Sequence, residues 1–427
     1  MEVIRFYFST FSLKKCALTI IYRVTLLTVQ YIKDLLNTIR QKGLYPDVKV
    51  IEGIAGLPKV RIGGIDYLQF CSANYLGLTT NQEIIKAIKD GIDRYGIHPT
   101  GSRLVSGTQD IHIELERKLA EFKKTPDSMV LVGGVMANMG VIPAVADLPF
   151  ASLSSVIDSL LGRMKTVIFS DKLNHASIID GIKLAKTQVE VYRHKDTDDL
   201  EKRLRRHKNA RKFIITDGVF SMNGDIAPLP KIVAISKEYG AFVMVDDAHG
   251  TGILGENGRG TVEHFGLSSN DIAIHMGTFS KAFGVSGGYI AGDKDLVDYL
   301  RVATRTYMFT GGFLGGLAAG VLAAITLVDE GSGLRKQLWE NTAYLRKGLK
   351  RLGYNTLGSE TPIVPILIGD EQKAIALYEK LFANRIFAPC FRWPATAKGE
   401  AIIRFTVTAL HTREHLDVLL NKLETLK

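Results

Sequence analysis

The sequence has little cysteine, and its three residues, Cys16, Cys71 and Cys390, lie far apart among 427 positions. This spacing matches no metal-binding motif and allows no disulfide framework to be drawn. We therefore predict no metal site, and we expect a reducing environment such as the cytoplasm.

The sequence also lacks a block of lysine and arginine interleaved with aromatic residues, which argues against nucleic-acid binding. Its formal net charge is nevertheless +10. Positive charge suits anionic substrates, such as a phosphorylated cofactor or a coenzyme A thioester, and also an anionic membrane surface. Charge alone does not choose among these partners.

No hydrophobic run is long enough to cross a bilayer. Residues 6–11 and 17–29 are apolar, but Lys14, Lys15 and Arg23 interrupt the region. No small-residue cleavage site follows, which argues against a signal peptide. Two interpretations stay open for the first 30 residues. One is an interfacial helix at the inner membrane face, and the other is a translation start assigned too far upstream.

Strands and helices alternate through the middle of the chain. Seven apolar segments are predicted strands: 129–132, 166–170, 189–192, 212–216, 242–245, 272–276 and 288–291. Helical spacing between several of them is typical of a parallel sheet with helices on both faces. We therefore expect an α/β fold with a mainly parallel seven-stranded sheet.

The chain is predicted to have three parts. These are an N-terminal segment, 1–80, a large domain, 81–315, and a smaller C-terminal α+β domain, 316–427. The predicted elements of the first part are a helix over 31–42 and strands at 48–51, 59–62 and 67–70. Those of the last part are long helices over 316–352, strands at 363–368 and 402–407, and helices at 371–384 and 413–426. An apolar stripe on the final helix predicts core residues: Leu416, Leu419, Leu420 and Leu423.

The ends of two predicted strands carry reactive side chains. Asp246 and His249 follow one apolar run, and Thr278 and Lys281 follow the next. Because ligands bind at the carboxyl ends of strands in open α/β sheets, these residues should converge. A lysine can form a Schiff base with an aldehyde cofactor, and a carboxylate can keep a pyridinium nitrogen protonated. A surface lysine and a turn aspartate are the simpler interpretation of each alone, but together they favour the cofactor.

Other candidates follow neighbouring strands. Gly134 and Val135 begin a helix whose backbone N–H groups can bind phosphate, and Thr278 offers a hydroxyl to the same anion. His175 can stack on a planar ring, and Ser221 can donate to a phenolate oxygen. Taken singly, these residues also fit a tight turn, a helix cap and a turn serine.

Two arginines lie in the C-terminal part. Arg404 lies inside an apolar strand, and Arg392 precedes it in a Phe-Arg-Trp-Pro turn. An arginine within an apolar strand needs an anionic partner. That partner is a substrate carboxylate in one interpretation and a structural ion pair in the other.

The motifs, taken in order, resemble the α-oxoamine synthases, which depend on pyridoxal 5'-phosphate (PLP) and have the fold of aspartate aminotransferase. The resemblance extends from about residue 35 to the end. It rests on residues 74–78, 101–108 with His112, 173–177, 219–225, 246–252 and 278–281. It implies a type I PLP-transferase fold and an acyltransferase that joins an amino acid to an acyl-CoA thioester with loss of carbon dioxide. It also implies a homodimer with shared active sites.

The resemblance implies four catalytic residues. Lys281 would hold PLP as a Schiff base and act as acid and base, Asp246 would pair with the pyridine nitrogen, and His175 would stack on the ring. The other implied cofactor contacts are His249 and Ser221 to the phenolate oxygen, Gly134, Val135 and Thr278 to the phosphate, and Thr310 to the phosphate of the other subunit. His249 is the fourth catalytic residue. The implied substrate-binding residues are Asn74, Arg392 and Arg404.

Within the family, residues 258–267, 277–281 and 392–396 resemble bacterial serine palmitoyltransferase. We therefore expect condensation of L-serine with palmitoyl-CoA to 3-ketosphinganine. The alternatives within the family are alanine with a pimeloyl thioester, as in 8-amino-7-oxononanoate synthase, and glycine with acetyl-CoA, as in 2-amino-3-ketobutyrate CoA ligase. A different alternative is an inactive partner subunit, against which the presence of Lys281 and Asp246 argues.

The sequence departs from the family pattern in three places. Val135 replaces an aromatic residue, and the glycine-rich stretch 311–316 replaces one that normally carries prolines near the acyl site. Residues 148–165 resemble an insertion. The apolar positions of this segment predict an amphipathic helix that packs against a partner or a membrane.

Overall fold

The computed structural model of the protein describes residues 28–148 and 165–427. The chain divides into two compact units, the first ending at Ile51 and the second beginning at Glu52. The first unit contains a helix over residues 28–41 (α1) with mostly exposed side chains, close to the helix predicted over 31–42. The predictions for the first 30 residues and for 148–165 lie almost wholly outside the described residues.

The regular elements follow the predicted alternation. The strands are β1 (Ile51–Glu52), β2 (Lys59–Ile62), β3 (Ile65–Gln69), β4 (Asp127–Leu131), β5 (Thr166–Asp171), β6 (Gln188–Tyr192), β7 (Arg211–Asp217), β8 (Ala241–Asp246), β9 (Ile274–Thr278), β10 (Gly288–Gly292), β11 (Ile363–Gly369), β12 (Ile386–Phe387), β13 (Cys390–Phe391) and β14 (Ala401–Thr406). The helices after α1 are α2 (Gln82–Tyr95), α3 (Asp110–Lys123), α4 (Gly134–Asp147), α5 (Ala176–Leu184), α6 (Thr197–Leu204), α7 (Leu229–Tyr239), α8 (Thr261–His264), α9 (Lys294–Ala303), α10 (Arg305–Met308), α11 (Gly315–Glu330), α12 (Ser332–Arg351), α13 (Glu371–Ala383) and α14 (Arg413–Thr425).

Strands β4 to β10 form one seven-stranded sheet in the order β4-β10-β9-β8-β7-β5-β6. Strand β10 runs antiparallel to both neighbours, and the other pairs are parallel. The predicted α/β fold with a mainly parallel seven-stranded sheet is therefore confirmed. The carboxyl ends of β5, β7, β8 and β9 share one edge of this sheet.

Both faces of the central sheet are covered. Ile168 and Phe213 pack into one hydrophobic cluster, while their neighbours Phe169 and Ile214 pack into another. Because successive side chains of a strand point to opposite faces, strands buried on both sides appear in the sequence as continuous apolar runs.

Two predicted strands have different bounds in the structure. The strand predicted at 48–51 shortens to β1, because Val48 and Val50 are 76% and 73% exposed and have no core to pack against. The strand predicted at 272–276 is β9, two residues later. Ile272 instead closes a 3-10 turn, where its N–H donates to the carbonyl of Ser269.

The helices and strands predicted after residue 316 are present, and the short strands β12 and β13 were not predicted. Strands β11, β14 and β13 form an antiparallel sheet in that order, and the predicted leucine stripe of α14 is buried. Strand β12 pairs in parallel with β3, which itself forms a hairpin with β2. The C-terminal part therefore also packs against the start of the second unit, and the predicted domain boundaries stay predictions.

Among the described helices, none is by itself long and apolar enough to cross a membrane. Helices α11 and α12 meet such a length and composition test only as a pair, and they are bent by 70° at the break between them.

Candidate active site

A cavity of about 190 Å³ lies at the carboxyl edge of the central sheet. All of the predicted cofactor residues line it except Thr310: Gly134, Val135, His175, Ser221, Asp246, His249, Thr278 and Lys281. The sheet topology brings them together, because each follows the end of a strand on this edge. Asp217, Ser177 and Ser280 also line the cavity.

Lys281 lies three residues after the end of β9. Within the described chain its Nζ forms no hydrogen bond or ion pair. Burial, together with the charge of Arg404, lowers the pKa of Lys281 to about 8, although Asp246 and Asp217 act in the opposite direction. At pH 7 an amine with this pKa is about one-tenth neutral, far more than an ordinary lysine, and the neutral amine is the form that attacks an aldehyde.

Asp246 ends β8 and is buried. Its Oδ1 accepts the backbone N–H of Ala248 at 3.0 Å, and its Oδ2 accepts Nδ2 of Asn138 at 2.7 Å. Donors at both oxygens suit an ionised carboxylate, which retains acceptor capacity for one more N–H.

His249 is held by a residue of the N-terminal motif. Its Nδ1 lies 2.7 Å from the phenol oxygen of Tyr75. Burial, and then the charges of Lys281 and Arg404, lower the pKa of His249 well below its usual value. Burial also raises the pKa of Tyr75. Both groups are therefore uncharged at neutral pH, so that the phenol can donate to Nδ1.

His175 caps the N-terminus of α5. Its Nδ1 lies 2.7 Å from Oγ of Ser177, and its backbone N–H donates to Oδ2 of Asp217 at 2.8 Å. Burial, assisted by the charge of Lys281, lowers the pKa of His175, while Asp246 opposes the shift. Burial and the neighbouring charge of Asp246 raise the pKa of Asp217 well above its usual value.

The end of the cavity at the N-terminus of α4 suits a phosphate. Helix α4 begins at Gly134, and its N-cap, Gly133, has no side chain to cap the first N–H groups. An uncapped helix N-terminus attracts anions. The hydroxyl of Thr278 donates to the carbonyl of Gly287 at 2.7 Å and lies 2.8 Å from Oγ of Ser280. The helix N-terminus can bind a phosphate, Asp246 can pair with a ring nitrogen, and Lys281 can react with an aldehyde. These residues therefore fit PLP.

Arg404 approaches the same region from β14. Its Nη1 donates to the carbonyl of Ser221 at 2.8 Å, and its guanidinium lies 4.6 Å from the ring centre of Phe391. Burial lowers its pKa. In the described part of the chain no carboxylate forms an ion pair with it, and its buried Nε has no partner. The structure therefore does not show the structural ion pair, and the substrate carboxylate stays the interpretation for Arg404.

Besides Arg404, three predicted residues do not line the cavity. The amide of Asn74 is occupied locally, since Nδ2 donates to Gly56 and Thr79 and Oδ1 accepts the N–H of Thr79. Arg392 is half-buried in the turn between β13 and β14, and Thr310 is half-buried between α10 and α11. Their roles stay predictions.

The sequence interpretation missed four residues that position the others: Tyr75, Asn138, Ser177 and Asp217. Asp217 could have been found, because it ends an apolar strand as Asp246 does, and the two are register partners on β7 and β8. No local sequence pattern distinguishes Tyr75, Asn138 and Ser177 from ordinary loop and helix residues. No group of three or more His, Cys, Asp or Glu that could hold a metal occurs in residues 28–148 and 165–427.

Known proteins resemble this chain over most of its length. The sequence model of the family aminotransferase class I and II matches residues 65–423. The 8-amino-7-oxononanoate synthase of Petrotoga mobilis is 42% identical over 398 residues, 92% of this chain and 97% of that protein. The 8-amino-7-oxononanoate synthase 1 of Bacillus velezensis is 44% identical over 389 residues, 91% of this chain and 95% of that protein. A structure of serine palmitoyltransferase with PLP is 32% identical, with a TM-score of 0.84, and covers 92% of this chain and 96% of its own.

These relatives correct the expected substrates. The prediction of serine palmitoyltransferase, and with it sphingolipid synthesis, is wrong, because the relatives of higher identity are named 8-amino-7-oxononanoate synthase. Residues 258–267, on which the prediction partly rested, serve the fold. Thr261 donates its N–H to Asp247 at 2.8 Å, and a side chain at Gly260 would collide with the same carboxylate.

The cofactor and the reaction class do not depend on this correction. The family match, the relatives and the PLP-containing structure agree with the cavity described above. The chain belongs to the α-oxoamine synthases, the PLP-dependent C-acyltransferases within aminotransferase class I and II.

Proposed function

We propose that this enzyme is an 8-amino-7-oxononanoate synthase, which condenses L-alanine with a pimeloyl thioester and releases carbon dioxide. The observation that carries the proposal is 42–44% identity over more than nine-tenths of the chain to proteins of that name. The amino-acid site built around Lys281 and Arg404 supports it, because the reaction needs an amine-bearing substrate whose carboxylate is first held and then lost.

Four features of the chain would hold PLP. Lys281 would hold its aldehyde carbon, Asp246 its ring nitrogen, His175 one ring face, and the N-terminus of α4 its phosphate. Bound PLP supplies an electron sink for the carbanion formed at Cα of the amino acid. The fixed carboxylate of Asp246 stabilises that sink electrostatically, because it is positioned before the charge develops.

Lys281 would carry out the proton transfers of the reaction. Its lowered pKa, about 8, suits an amine that takes the proton from Cα of alanine and later returns one, because acid–base groups work best with a pKa near the working pH. Arg404 would bind the alanine carboxylate through its unpartnered Nε and its remaining Nη2. We propose Arg392 as a second contact to that carboxylate.

A homodimer is part of the proposal. Segments 97–105 and 309–312 pack together, since Ser102 bridges Gly311 and the N–H of Gly312 donates to Gly101. They expose a set of apolar side chains: Ile97, Leu104, Val105 and Phe309. Exposed apolar surface of this kind marks an interface, and Thr310 lies within it. The glycines allow the close approach, because a Cβ at Gly311 would lie 2.6 Å from the ring of His98.

A substrate panel tests the proposed function. The purified PLP-loaded enzyme is assayed for thiol release with L-alanine, glycine or L-serine, each against pimeloyl-CoA, acetyl-CoA or palmitoyl-CoA. We expect turnover with alanine and pimeloyl-CoA and little with the other pairs. Turnover confined to glycine and acetyl-CoA would instead identify 2-amino-3-ketobutyrate CoA ligase.

The same assay tests the inactive-subunit alternative. Lys281→Ala is the matched control, since it removes the amine and leaves the rest of the cavity. Equal rates for the wild type and Lys281→Ala would contradict an enzymatic role for this cavity. A cytoplasmic location and membrane contact of residues 1–30 or 148–165 stay predictions.

A further inference from the structure

A buried chain of side chains joins two residues of the cavity. Asp246 Oδ2 lies 2.7 Å from Nδ2 of Asn138, and the same Nδ2 lies 2.9 Å from Oγ of Ser177. Ser177 Oγ lies 2.7 Å from Nδ1 of His175, to which the Ser177 backbone N–H also points at 3.2 Å. Asn138 is fully buried and Ser177 nearly so. The chain therefore connects the ring-stacking histidine to the carboxylate expected at the ring nitrogen.

The chemistry of Asn138 fixes the direction of these hydrogen bonds. If the amide were flipped, its Oδ1 would face the carboxylate of Asp246, and two acceptors would oppose each other. The observed orientation sends the two N–H groups of Nδ2 to Asp246 and Ser177. This orientation leaves Oδ1 buried with no partner in the described residues, which costs stability. The contact between Nδ2 and the carboxylate of Asp246 therefore outweighs the loss of a partner at Oδ1.

The same reasoning assigns the donor in the hydrogen bond between Ser177 and His175. Ser177 Oγ accepts from Asn138, so its single O–H is left to donate to Nδ1 of His175. Nδ1 receives this O–H and the Ser177 N–H, and it therefore cannot carry a proton of its own. The ring proton must lie on Nε2, and the imidazole is uncharged.

We propose that Asn138 and Ser177 are positioning residues that hold His175 as the neutral, Nε2-protonated imidazole while Asp246 is a carboxylate. The inference rests on the PLP-dependent function proposed above, and it specifies how this chain prepares the cofactor site. A ring nitrogen protonated by Asp246 carries positive charge, and an uncharged imidazole avoids placing a second cation against it. Asn138 lies one turn after Gly134 on α4, so one helix carries both the phosphate contact and this link.

Other charged groups also act on His175. The charges of Asp246 and Lys281 act on its ring, Asp217 accepts its backbone N–H, and His249 lies near enough to interact electrostatically. The test must therefore change Asn138 and Ser177 without removing any of these four.

The experiment uses Asn138→Asp and Ser177→Ala, with Asn341→Asp as the matched control. Asn341 is also buried, and its Nδ2 donates to the carbonyls of Thr408 and His411, away from the cavity. The first readout is the imidazole ¹⁵N shifts of His175 in cofactor-free protein labelled with ¹⁵N-histidine, assigned with His175→Gln. The second is the pH profile of the visible absorbance of the PLP-loaded protein.

We expect the wild type and Asn341→Asp to show a single Nε2-protonated tautomer of His175. Ser177→Ala should produce a mixture of tautomers and raise the pH at which the ring gains its second proton. Asn138→Asp should do the same, weaken PLP binding at least tenfold and shift the absorbance profile, because two adjacent carboxyl groups share a proton.

A wild-type tautomer and an unchanged absorbance profile in Ser177→Ala would overturn the proposal, whether or not Asn138→Asp folds. A merely structural role predicts that Asn138→Asp and Asn341→Asp lower the melting temperature without moving either readout. Neither readout involves the amino acid or the thioester. The positioning role can therefore fail while the proposed reaction stands, and the reverse is also true.

Discussion

The phenol oxygen of Tyr75 lies 2.7 Å from Nδ1 of His249, although 174 positions separate the two residues in the chain. Tyr75 belongs to the loop after β3, and His249 follows β8. The buried phenol has no other acceptor among the described residues, so its O–H donates to Nδ1 and the ring proton lies on Nε2. One loop of the N-terminal segment therefore determines the tautomer of a histidine at the carboxyl edge of the central sheet.

We predict that Tyr75→Phe weakens PLP binding or turnover by roughly tenfold. Loss of the phenol leaves a buried Nδ1 without its donor, which costs about 1–3 kcal/mol, and about 1.4 kcal/mol corresponds to tenfold. Spectroscopic titration with PLP and steady-state kinetics measure this effect. Tyr354→Phe removes a phenol that donates to a backbone carbonyl of α14, and it should change neither value.

The pKa of Lys281 predicts the pH dependence of PLP binding. Because burial lowers this pKa to about 8, the reactive neutral amine accumulates as the pH rises through about 8. The rate at which PLP reacts with the cofactor-free protein should rise through the same range. Stopped-flow absorbance measures it.

The neighbours of Lys281 provide the internal check. Asp246→Asn removes a charge that raises the pKa and should move the midpoint to lower pH, whereas Arg404→Ala should move it to higher pH. Shifts in the same direction for both variants would contradict the electrostatic account.

We predict that Asp246→Asn still binds PLP but loses about two or more orders of magnitude in kcat. The loss is expected because a preorganised charge stabilises the developing carbanion. PLP occupancy is followed by absorbance and kcat by thiol release. Near-normal kcat would mean that the ring nitrogen does not face Asp246.

We predict that Arg404→Ala raises KM for alanine about 10–100-fold, because hydrogen bonds to a charged group contribute about 1.5–3 kcal/mol. PLP binding should persist. Arg346→Ala is the matched control, since Arg346 also donates to a backbone carbonyl, that of Ser359. An unchanged KM for alanine in Arg404→Ala would exclude it as the carboxylate site.

His194 predicts a pH dependence of stability. It lies between Asp171 and Asp225, at 2.9 and 2.8 Å. Burial opposes the shift, but these two carboxylates raise the pKa of His194 to about 9. Because the folded pKa is above the unfolded value of about 6.5, the stabilisation is complete below about pH 6.5 and is lost as the pH rises through about 9.

Denaturant unfolding of the wild type and His194→Gln tests this prediction. The variant should be less stable by on the order of 1–3 kcal/mol at pH 6, and the difference should shrink at pH 10. A difference that stays constant with pH would show that the charge of His194 contributes nothing.

The central sheet and the reactive residues could be predicted from the amino-acid sequence alone. Strands such as β5 and β7 are buried on both faces, so their apolar runs are continuous and visible without a structure. Lys281, Asp246 and His175 were found because each follows such a run, and the ends of parallel strands meet at one edge. The substrate could not be read from the same motifs, because residues such as Gly260 and Thr261 serve the fold rather than the thioester.

The hydrogen bonds that hold those residues could not be predicted without the structure. Asn138 approaches Asp246 from α4, and Tyr75 approaches His249 from the loop after β3. The amide of Asn74, whose predicted role is to bind substrate, donates to the carbonyl of Gly56 and to Oγ1 of Thr79. Such contacts depend on distances between elements remote in the chain, whereas periodicity and motifs report only what neighbouring residues do. The sequence therefore determined which groups react, and the packing of α4 and the N-terminal loop determined their tautomers and hydrogen bonds.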